Sequence, residues 1–443
     1  MKRLTLEATD ENILKSIKEN TYNRNSDVKD FIEALDTIEG NMFISLDARW
    51  GEGKTFYVRQ IEKTLEYLTK RAWGDGQAET VEELNPYFQN TVLNSISLNQ
   101  SYLPIYYNAW LYDNHDDPLM SLIYTIVKKA NQYINTALDK SKKERLLQAL
   151  SSLSVSFNFG FVQISASGEG IKDALTVEDI LKNINTAEEI RELVKNILDS
   201  VITEKAQRLV IFIDELDRCR PNYAIEMLER IKHYFDDERI IFVVSVNKEQ
   251  LVHTISKHYG YGFDSTGYLN KFFDINAYLP EVSNNLFDSY RNDQHHLNKI
   301  AEGLNDYYKL SLRDGLIFKQ RISMLSPGLV NDLSLNGWCL SLFVPLIIIL
   351  DINDQNEKVR FLDGESNLLE SLSKEIEAIH FMLCRLDGSG NDENEKFDIG
   401  FERIKAIYNY TFKELGREAY YKLNMEIRVD LKKICMKICN GFE

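Results

Sequence analysis

The fold is decided by residues 49–55, which read Arg49-Trp50-Gly51-Glu52-Gly53-Lys54-Thr55. The β-prone run Met42-Phe43-Ile44-Ser45-Leu46 precedes them, and helical apolar spacing over residues 56–68 follows. A strand, a glycine-rich turn and a helix in this order predict a phosphate-binding loop. The reason is that the bent backbone points successive N–H groups at an anion, beside the positive end of the helix.

The loop fits the GK[ST] half of a Walker A motif, and the chemistry of that motif gives its residues separate roles. Lys54 is expected to reach the β- and γ-phosphates, and the hydroxyl of Thr55 is expected to bind Mg²⁺. Ala48 stands where the full motif has its first glycine. The alternative is a glycine-rich turn that binds nothing. The predicted nucleotide contacts in the loop are Arg49, Trp50, Gly51, Glu52, Gly53, Lys54, Thr55 and Phe56.

An acidic pair follows a second apolar run, as in a Walker B element. Residues 209–213 are apolar at consecutive positions, which predicts a strand buried on both faces, and Asp214 and Glu215 come directly after it. An aspartate at a strand end can hold the water shell of Mg²⁺, and the adjacent glutamate can orient and deprotonate an attacking water. We therefore predict that Asp214 joins Thr55 at the metal and that Glu215 is the catalytic base of hydrolysis.

Three further polar residues are candidates, each with an alternative. Arg218 would either pair with Asp217 as a structural clamp or reach a γ-phosphate, in this subunit or a neighbouring one. Asn247 follows the next buried strand, where it would sense the γ-phosphate or the attacking water, or cap the helix that comes next. Arg313 would extend a positive charge onto the nucleotide from a lid, or make a surface contact with Asp314.

The order of apolar patterns divides the chain into three parts. Residues 1–40 predict helices that pack on a core over residues 41–280, and helical spacing dominates residues 281–443. Within the core, an insertion at about 115–205 predicts helices and a β-hairpin at 154–167. Predicted strands alternate with helices, as in a parallel α/β sheet. Besides the strand before the loop, these strands are 103–107, 209–213, 240–244 and 272–279.

The composition is that of a globular protein with an acidic surface. The chain has 443 residues, 44% of them hydrophobic, and a formal net charge of -16. A surface of this sign repels phosphate backbones, so nucleic-acid binding would need a local basic patch. The candidate patch is at residues 140–145, and its alternative is the solvated face of a helix.

The cysteines and the longest apolar stretch predict a cytoplasmic protein. Five cysteines are scattered along the chain and no signal peptide is evident, which is typical of reduced thiols. The apolar stretch at residues 338–350 contains Pro345 and is shorter than the roughly 20 residues that span a bilayer. We expect a buried helix there and no integral membrane segment.

Four short segments together resemble the KAP family of P-loop NTPases, over about residues 25–280. They are Trp50-Gly51-Glu52-Gly53-Lys54-Thr55, Tyr107-Asn108-Ala109-Trp110, Asp214-Glu215-Leu216-Asp217-Arg218-Cys219 and Tyr268-Leu269-Asn270-Lys271. The resemblance implies a three-layer parallel sheet of the additional-strand type, akin to AAA+ and STAND ATPases, with one strand between the Walker A and Walker B strands. It also implies ATP and Mg²⁺ as ligands, and a role in bacterial antiviral defence beside a partner.

Three departures from the family pattern bear on these expectations. Ala48 replaces the usual glycine, and Asn247 stands where the family often has an acidic residue. The transmembrane pair commonly inserted between the two Walker motifs is missing, and the predicted hairpin at residues 154–167 takes its place. Membrane tethering is therefore not expected.

The leading hypothesis is an ATPase that acts as a molecular switch. Nucleotide binding and hydrolysis would move the helical C-terminal region, and a protein partner or self-assembly would read that motion. The alternative is a scaffold or signalling module that holds ATP structurally with negligible turnover, against which Glu215 argues. A small-molecule or nucleoside kinase is the third possibility, although the compact lid pattern of such kinases is lacking.

Overall fold

The computed structural model describes residues 7–73, 78–114, 117–134, 187–202, 206–280, 296–323, 334–386, 390–413 and 430–439. The chain divides into two compact units, a first unit at Glu7–Glu281 and a second unit at Val282–Glu443. The predicted hairpin at residues 154–167 and the basic run at residues 140–145 lie outside the described residues.

The first unit is built on a sheet of five parallel strands in the order β2-β3-β4-β1-β5. The strands are β1 Met42–Asp47, β2 Tyr102–Asn108, β3 Arg208–Asp214, β4 Ile240–Val246 and β5 Ile275–Tyr278. β4 lies between β1 and β3, because Phe242 pairs with Phe43 on one side and with Ile211 on the other. One strand thus separates the two strands that carry the motifs, and the predicted additional-strand fold is confirmed.

Helices cover both faces of this sheet and complete three layers. Side chains alternate along a strand, so neighbours in sequence enter different layers. Phe43 and Ile211 pack in one layer, and Ile44 and Phe212 pack in the other. The helices are α1 Asp10–Lys18, α2 Asn25–Asp36, α3 Lys54–Ala72, α4 Ala78–Phe88, α5 Ala109–Tyr112, α6 Pro118–Ile134, α7 Ala187–Val201, α8 Pro221–Tyr234, α9 Lys248–Tyr259 and α10 Ser265–Asn270.

Every regular element that the structure describes in the second unit is a helix. Its helices are α11 His296–Tyr308, α12 Leu312–Ser323, α13 Leu335–Asn353, α14 Gln355–Leu362, α15 Leu368–Glu375, α16 Glu377–Leu386, α17 Glu393–Phe412 and α18 Leu431–Cys439. Phe343 of α13 packs against the rings of Phe361, Tyr408 and Phe412, with centroid separations between 5.6 and 6.2 Å. This aromatic cluster gives the second unit a core of its own.

α13 contains the apolar stretch that the sequence assigns to a buried helix. Within the described ranges it is the one helix long and apolar enough to cross a membrane. However, 72% of its most apolar 18-residue stretch is buried. The core helix of a globular domain passes the same test of length and composition. The burial of α13 agrees with the predicted core helix.

Candidate nucleotide site

Two glycines shape the loop between β1 and α3. Gly51 has φ +87° and Gly53 has φ +85°, in the left-handed region where a side chain is unfavourable. Gly53 is the N-cap residue of α3, which starts at Lys54. The loop therefore ends at the positive end of a 19-residue helix, the position that favours a bound anion.

Lys54 is folded over the loop that precedes it. Its ammonium group donates hydrogen bonds to the carbonyl oxygens of Ala48 at 2.7 Å and Arg49 at 3.2 Å, and the residue is only 9% exposed. Burial lowers the pKa of Lys54, while the carboxylates of Asp217 and Asp214 oppose that shift. The positive charge of Lys54 thus lies at the loop, near the acidic residues at the end of β3.

The structure brings Thr55 and Asp214 together, although 158 residues separate them in sequence. The Thr55 hydroxyl donates to Oδ2 of Asp214 at 2.7 Å and lies 3.5 Å from Oε1 of Glu215. Asp214 is fully buried at the end of β3. A hydroxyl beside a carboxylate is a donor set that suits a hard cation such as Mg²⁺, so Thr55 and Asp214 fit the predicted metal position.

Glu215 occupies a strained turn directly after β3. Its φ of +61° and ψ of +24° are left-handed, which costs a non-glycine residue on the order of 1–3 kcal/mol. Burial and the neighbouring Asp214 carboxylate raise the pKa of Glu215, and the guanidinium of Arg218 opposes that shift. Backbone strain at a polar, partly buried carboxylate is a sign of function.

Arg218 pairs with Glu215 and not with Asp217, which corrects the predicted clamp. The Nε of Arg218 forms an ion pair with the Glu215 carboxylate, and the guanidinium lies 5.6 Å from the centroid of the Trp110 ring. A short 3₁₀ turn aligns positions three apart, so Glu215 and Arg218 face each other. Asp217 instead accepts a hydrogen bond from the indole N–H of Trp50.

Asn247 caps α9. Its side-chain oxygen accepts the backbone N–H of Gln250 at 3.2 Å, and the residue is buried at the end of β4. This is the capping role that was one of its two predicted alternatives. The sensor role stays a prediction.

The remaining predicted contacts fall into different surroundings. Oε2 of Glu52 accepts the backbone N–H of Arg49 at 3.0 Å, which closes the loop on itself. Trp50 is 47% exposed, and Phe56 packs against the helical layer that covers Ile44. Arg313 lies at an exposed position of α12 in the second unit, and its role stays a prediction.

Two residues of the site carried no functional prediction from the sequence. The buried Arg24 guanidinium donates to the carbonyl oxygens of Glu52 at 3.0 Å and Gly53 at 3.3 Å, which fixes the phosphate loop from outside. The Tyr106 hydroxyl donates to Oδ2 of Asp214 at 3.0 Å. Arg24 gives no local signal, because its partners are backbone atoms 28 and 29 residues away. Tyr106 could have been found from its place near the carboxyl end of the strand beside β3.

Comparison with known proteins agrees with this geometry. The sequence model of the KAP family P-loop domain matches residues 24–324, more than half of the chain. A comparison with curated proteins finds no match. The matched residues include the phosphate loop, the acidic pair at the end of β3 and the capping residue of α9. The chain therefore belongs to the KAP family of P-loop NTPases.

Proposed function

We propose that this NTPase binds ATP with Mg²⁺ and hydrolyses it to ADP and phosphate. The observation that carries the proposal is the meeting of the Thr55 hydroxyl with Asp214 at 2.7 Å, beside Glu215. Thr55 and Asp214 would hold the metal, which would supply positive charge against the negative charge that develops on the phosphates. Lys54 supplies a positive charge at the same loop, where it complements the phosphate oxygens.

Glu215 is the base in this proposal, and Arg218 controls its availability. A raised pKa makes its carboxylate a better acceptor for a proton from water near neutral pH. The carboxylate is paired with Arg218 in the structure, so it has to exchange that guanidinium for the attacking water before it can act. Lys54 must likewise exchange the carbonyl oxygens of Ala48 and Arg49 for phosphate oxygens.

Hydrolysis would serve a cytoplasmic switch in bacterial antiviral defence, read by a protein partner or by self-assembly. Membership of the KAP family supports this role, and ATP is preferred over GTP on the same ground. The helical unit at Val282–Glu443, most of which lies beyond the matched residues, is the part of the chain available to transmit the change.

Phosphate release by the purified full chain tests the proposal. We expect release with Mg²⁺ and none with a chelator. Lys54→Ala should lose ATP binding, whereas Glu215→Gln should keep binding and lose release by about 10²- to 10⁴-fold. Lys15→Ala and Glu370→Gln are matched controls, because both residues form exposed surface ion pairs.

The products separate the proposal from its rivals. If wild-type protein releases no phosphate, alone or with copurifying proteins, the ATPase proposal fails. ATP recovered intact from the purified chain would favour the scaffold. A phosphorylated acceptor in place of free phosphate would identify a kinase.

A further inference from the structure

Three side chains of different ligand chemistry meet in the second unit. His380 and Cys384 lie one helical turn apart on α16, and Glu393 starts α17. An imidazole nitrogen, the thiol sulfur and a carboxylate oxygen lie within 4.8 Å of one another. We infer that these three residues form a binding site for one divalent transition-metal ion of the Zn²⁺ class. The inference does not rest on the proposed ATPase activity.

The backbone of the two helices holds the ligands in place. Residues four apart share one face of a helix, so His380 and Cys384 point to the same side of α16. α16 and α17 also pack closely beside Cys384, because a Cβ on Gly400 of α17 would lie only 2.0 Å from the carbonyl oxygen of Leu383. The His380 ring also stacks on Phe397 of α17 at 4.5 Å, with an interplanar angle of 14°. The imidazole orientation is therefore set by packing.

The donor set selects the class of metal. Nitrogen from histidine and sulfur from cysteine favour Zn²⁺ and similar ions, whereas Mg²⁺ and Ca²⁺ prefer oxygen ligands alone. Tetrahedral coordination of Zn²⁺ places ligand atoms roughly 3.5 Å apart. Because the ligand atoms lie within 4.8 Å of one another, each pair would have to close by no more than about 1.3 Å. Rotation about the side-chain bonds of the exposed Glu393 can bring its carboxylate nearer to the other two ligands.

The neighbouring acids have other tasks, which leaves Glu393 as the carboxylate ligand. Asp392 caps α17 by accepting the N–H of Glu395 at 2.9 Å, and Glu395 accepts the N–H of Asn391 at 2.8 Å. Among the described residues, the Glu393 side chain forms neither a hydrogen bond nor an ion pair. The Cys384 thiol already faces the start of α17, since it lies 3.7 Å from the backbone oxygen of Glu393.

Metal binding would join the end of α16 to the start of α17. The Cys384 thiol would release its proton to the buffer as the sulfur–metal bond forms, while histidine and glutamate bind in their neutral and anionic forms. Three protein ligands leave a fourth position for water. Because the metal binds the folded arrangement, it stabilises the second unit.

Titration of the chelator-treated full chain with Zn²⁺ and Co²⁺ tests this site. We expect one equivalent of each metal, and a near-ultraviolet thiolate-to-Co²⁺ absorption band. Cys384→Ser should abolish the band. His380→Ala and Glu393→Gln should each weaken Zn²⁺ binding by more than about 10-fold. Loss of a residue that only supports a ligand already lowers metal affinity by about 10-fold or more, and loss of a ligand should cost more than that.

Matched controls replace the same residue types elsewhere in the chain. His253→Ala changes an exposed histidine of α9, and Glu402→Gln changes an exposed carboxylate of α17 itself. Both should bind Zn²⁺ as the wild type does. If Cys384→Ser loses helicity by circular dichroism, the comparison of Glu393→Gln with Glu402→Gln decides the question, because both residues are exposed.

Two results would overturn the inference. One is Zn²⁺ binding that is absent, or equal in the wild type and all three ligand variants. The other is a bound equivalent that disappears with Asp214→Asn, since it would then belong to the nucleotide site.

Discussion

At the scale of single residues, Asp214 is the most constrained group of the nucleotide site. One of its oxygens accepts hydrogen bonds from Thr55 and Tyr106, and the other accepts the backbone N–H of Glu215. The side chain has no contact with solvent, so a lost donor leaves a buried charge less well compensated. The carboxylate proposed to bind the metal is thus held in part by Tyr106, a residue outside both Walker motifs.

Tyr106→Phe should weaken the response to Mg²⁺ without removing nucleotide binding. The change deletes only the hydroxyl that donates to Asp214 at 3.0 Å. We expect the Mg²⁺ concentration for half-maximal phosphate release to rise by about 10- to 100-fold, as for other partners of metal ligands. ATP binding measured in chelator should stay unchanged.

Tyr67→Phe is the matched control for this prediction. The Tyr67 hydroxyl is also held by polar partners, Asn85 and Asn94, which lie away from the loop. This variant should respond to Mg²⁺ as the wild type does. Equal Mg²⁺ curves for Tyr106→Phe and the wild type would show that the hydroxyl does not position Asp214.

At the scale of elements, burial decides which parts of the fold the sequence could predict. β3 and β4 are buried at every position, and their apolar runs predicted both strands to within two residues. β5 covers only Ile275–Tyr278, inside a predicted strand at 272–279. Phe272 and Phe273 supply apolar residues to the core, but their backbone belongs to the turn after α10. Parallel strands end at one edge of a sheet, so the motifs at the ends of β1 and β3 could be predicted to meet.

Side-chain partners at the site could not be predicted in the same way. The pairing of Arg218 with Glu215 depends on a left-handed turn at Glu215, and no residue type there signals it. Arg24 reaches the phosphate loop through backbone carbonyls, which leave no trace in the sequence. Periodicity predicts elements and their order, whereas these contacts depend on the packed tertiary structure.

The helix after the phosphate loop carries a buried charge network that makes stability depend on pH. Glu66 of α3 lies 2.8 Å from Lys70, 3.3 Å from Lys129 of α6 and 3.6 Å from Lys63. Burial acts to raise its pKa, but the three ammonium groups lower the pKa of Glu66 to about 2. A carboxyl whose folded pKa is depressed stabilises the fold above its unfolded pKa, and that stability is lost as pH falls through the folded value.

Glu66→Gln should therefore destabilise the protein at pH 7 and progressively less in acid. A depression of this size corresponds to about 3 kcal/mol at neutral pH, and it should diminish as pH falls below about 4.5. Urea unfolding of the variant and the wild type across this range measures the difference. Glu33→Gln, which removes an exposed ion pair with Lys29, should change stability by less than about 1 kcal/mol at any pH. A Glu66→Gln deficit that is constant with pH would contradict the assigned network.

At the level of the molecule, each of the two units has its own hydrophobic core and its own candidate ligand site. The first unit buries both faces of its sheet and carries the nucleotide site at one edge. The second unit has an aromatic core around Phe343. It also carries the three proposed metal ligands, His380, Cys384 and Glu393. Each unit therefore has its own source of stability and its own candidate ligand, and each ligand should stabilise the unit that binds it.

Calorimetry of the full chain should show two unfolding transitions that respond to different changes. A non-hydrolysable ATP analogue with Mg²⁺, at about 100 times its Kd, adds about 2.7 kcal/mol to the unit that binds it. We expect the analogue to raise the midpoint temperature for unfolding of Glu7–Glu281 by on the order of 5 °C. Lys54→Ala should remove this increase.

Phe343→Leu identifies the other transition. It replaces a fully buried ring in the aromatic cluster of the second unit with a smaller side chain. We expect it to lower only the midpoint temperature for unfolding of Val282–Glu443. A single transition moved equally by the nucleotide analogue and by Phe343→Leu would mean that the units unfold together. In that case nucleotide binding to the first unit would also stabilise the helical unit against unfolding. A switch needs this coupling between the two units.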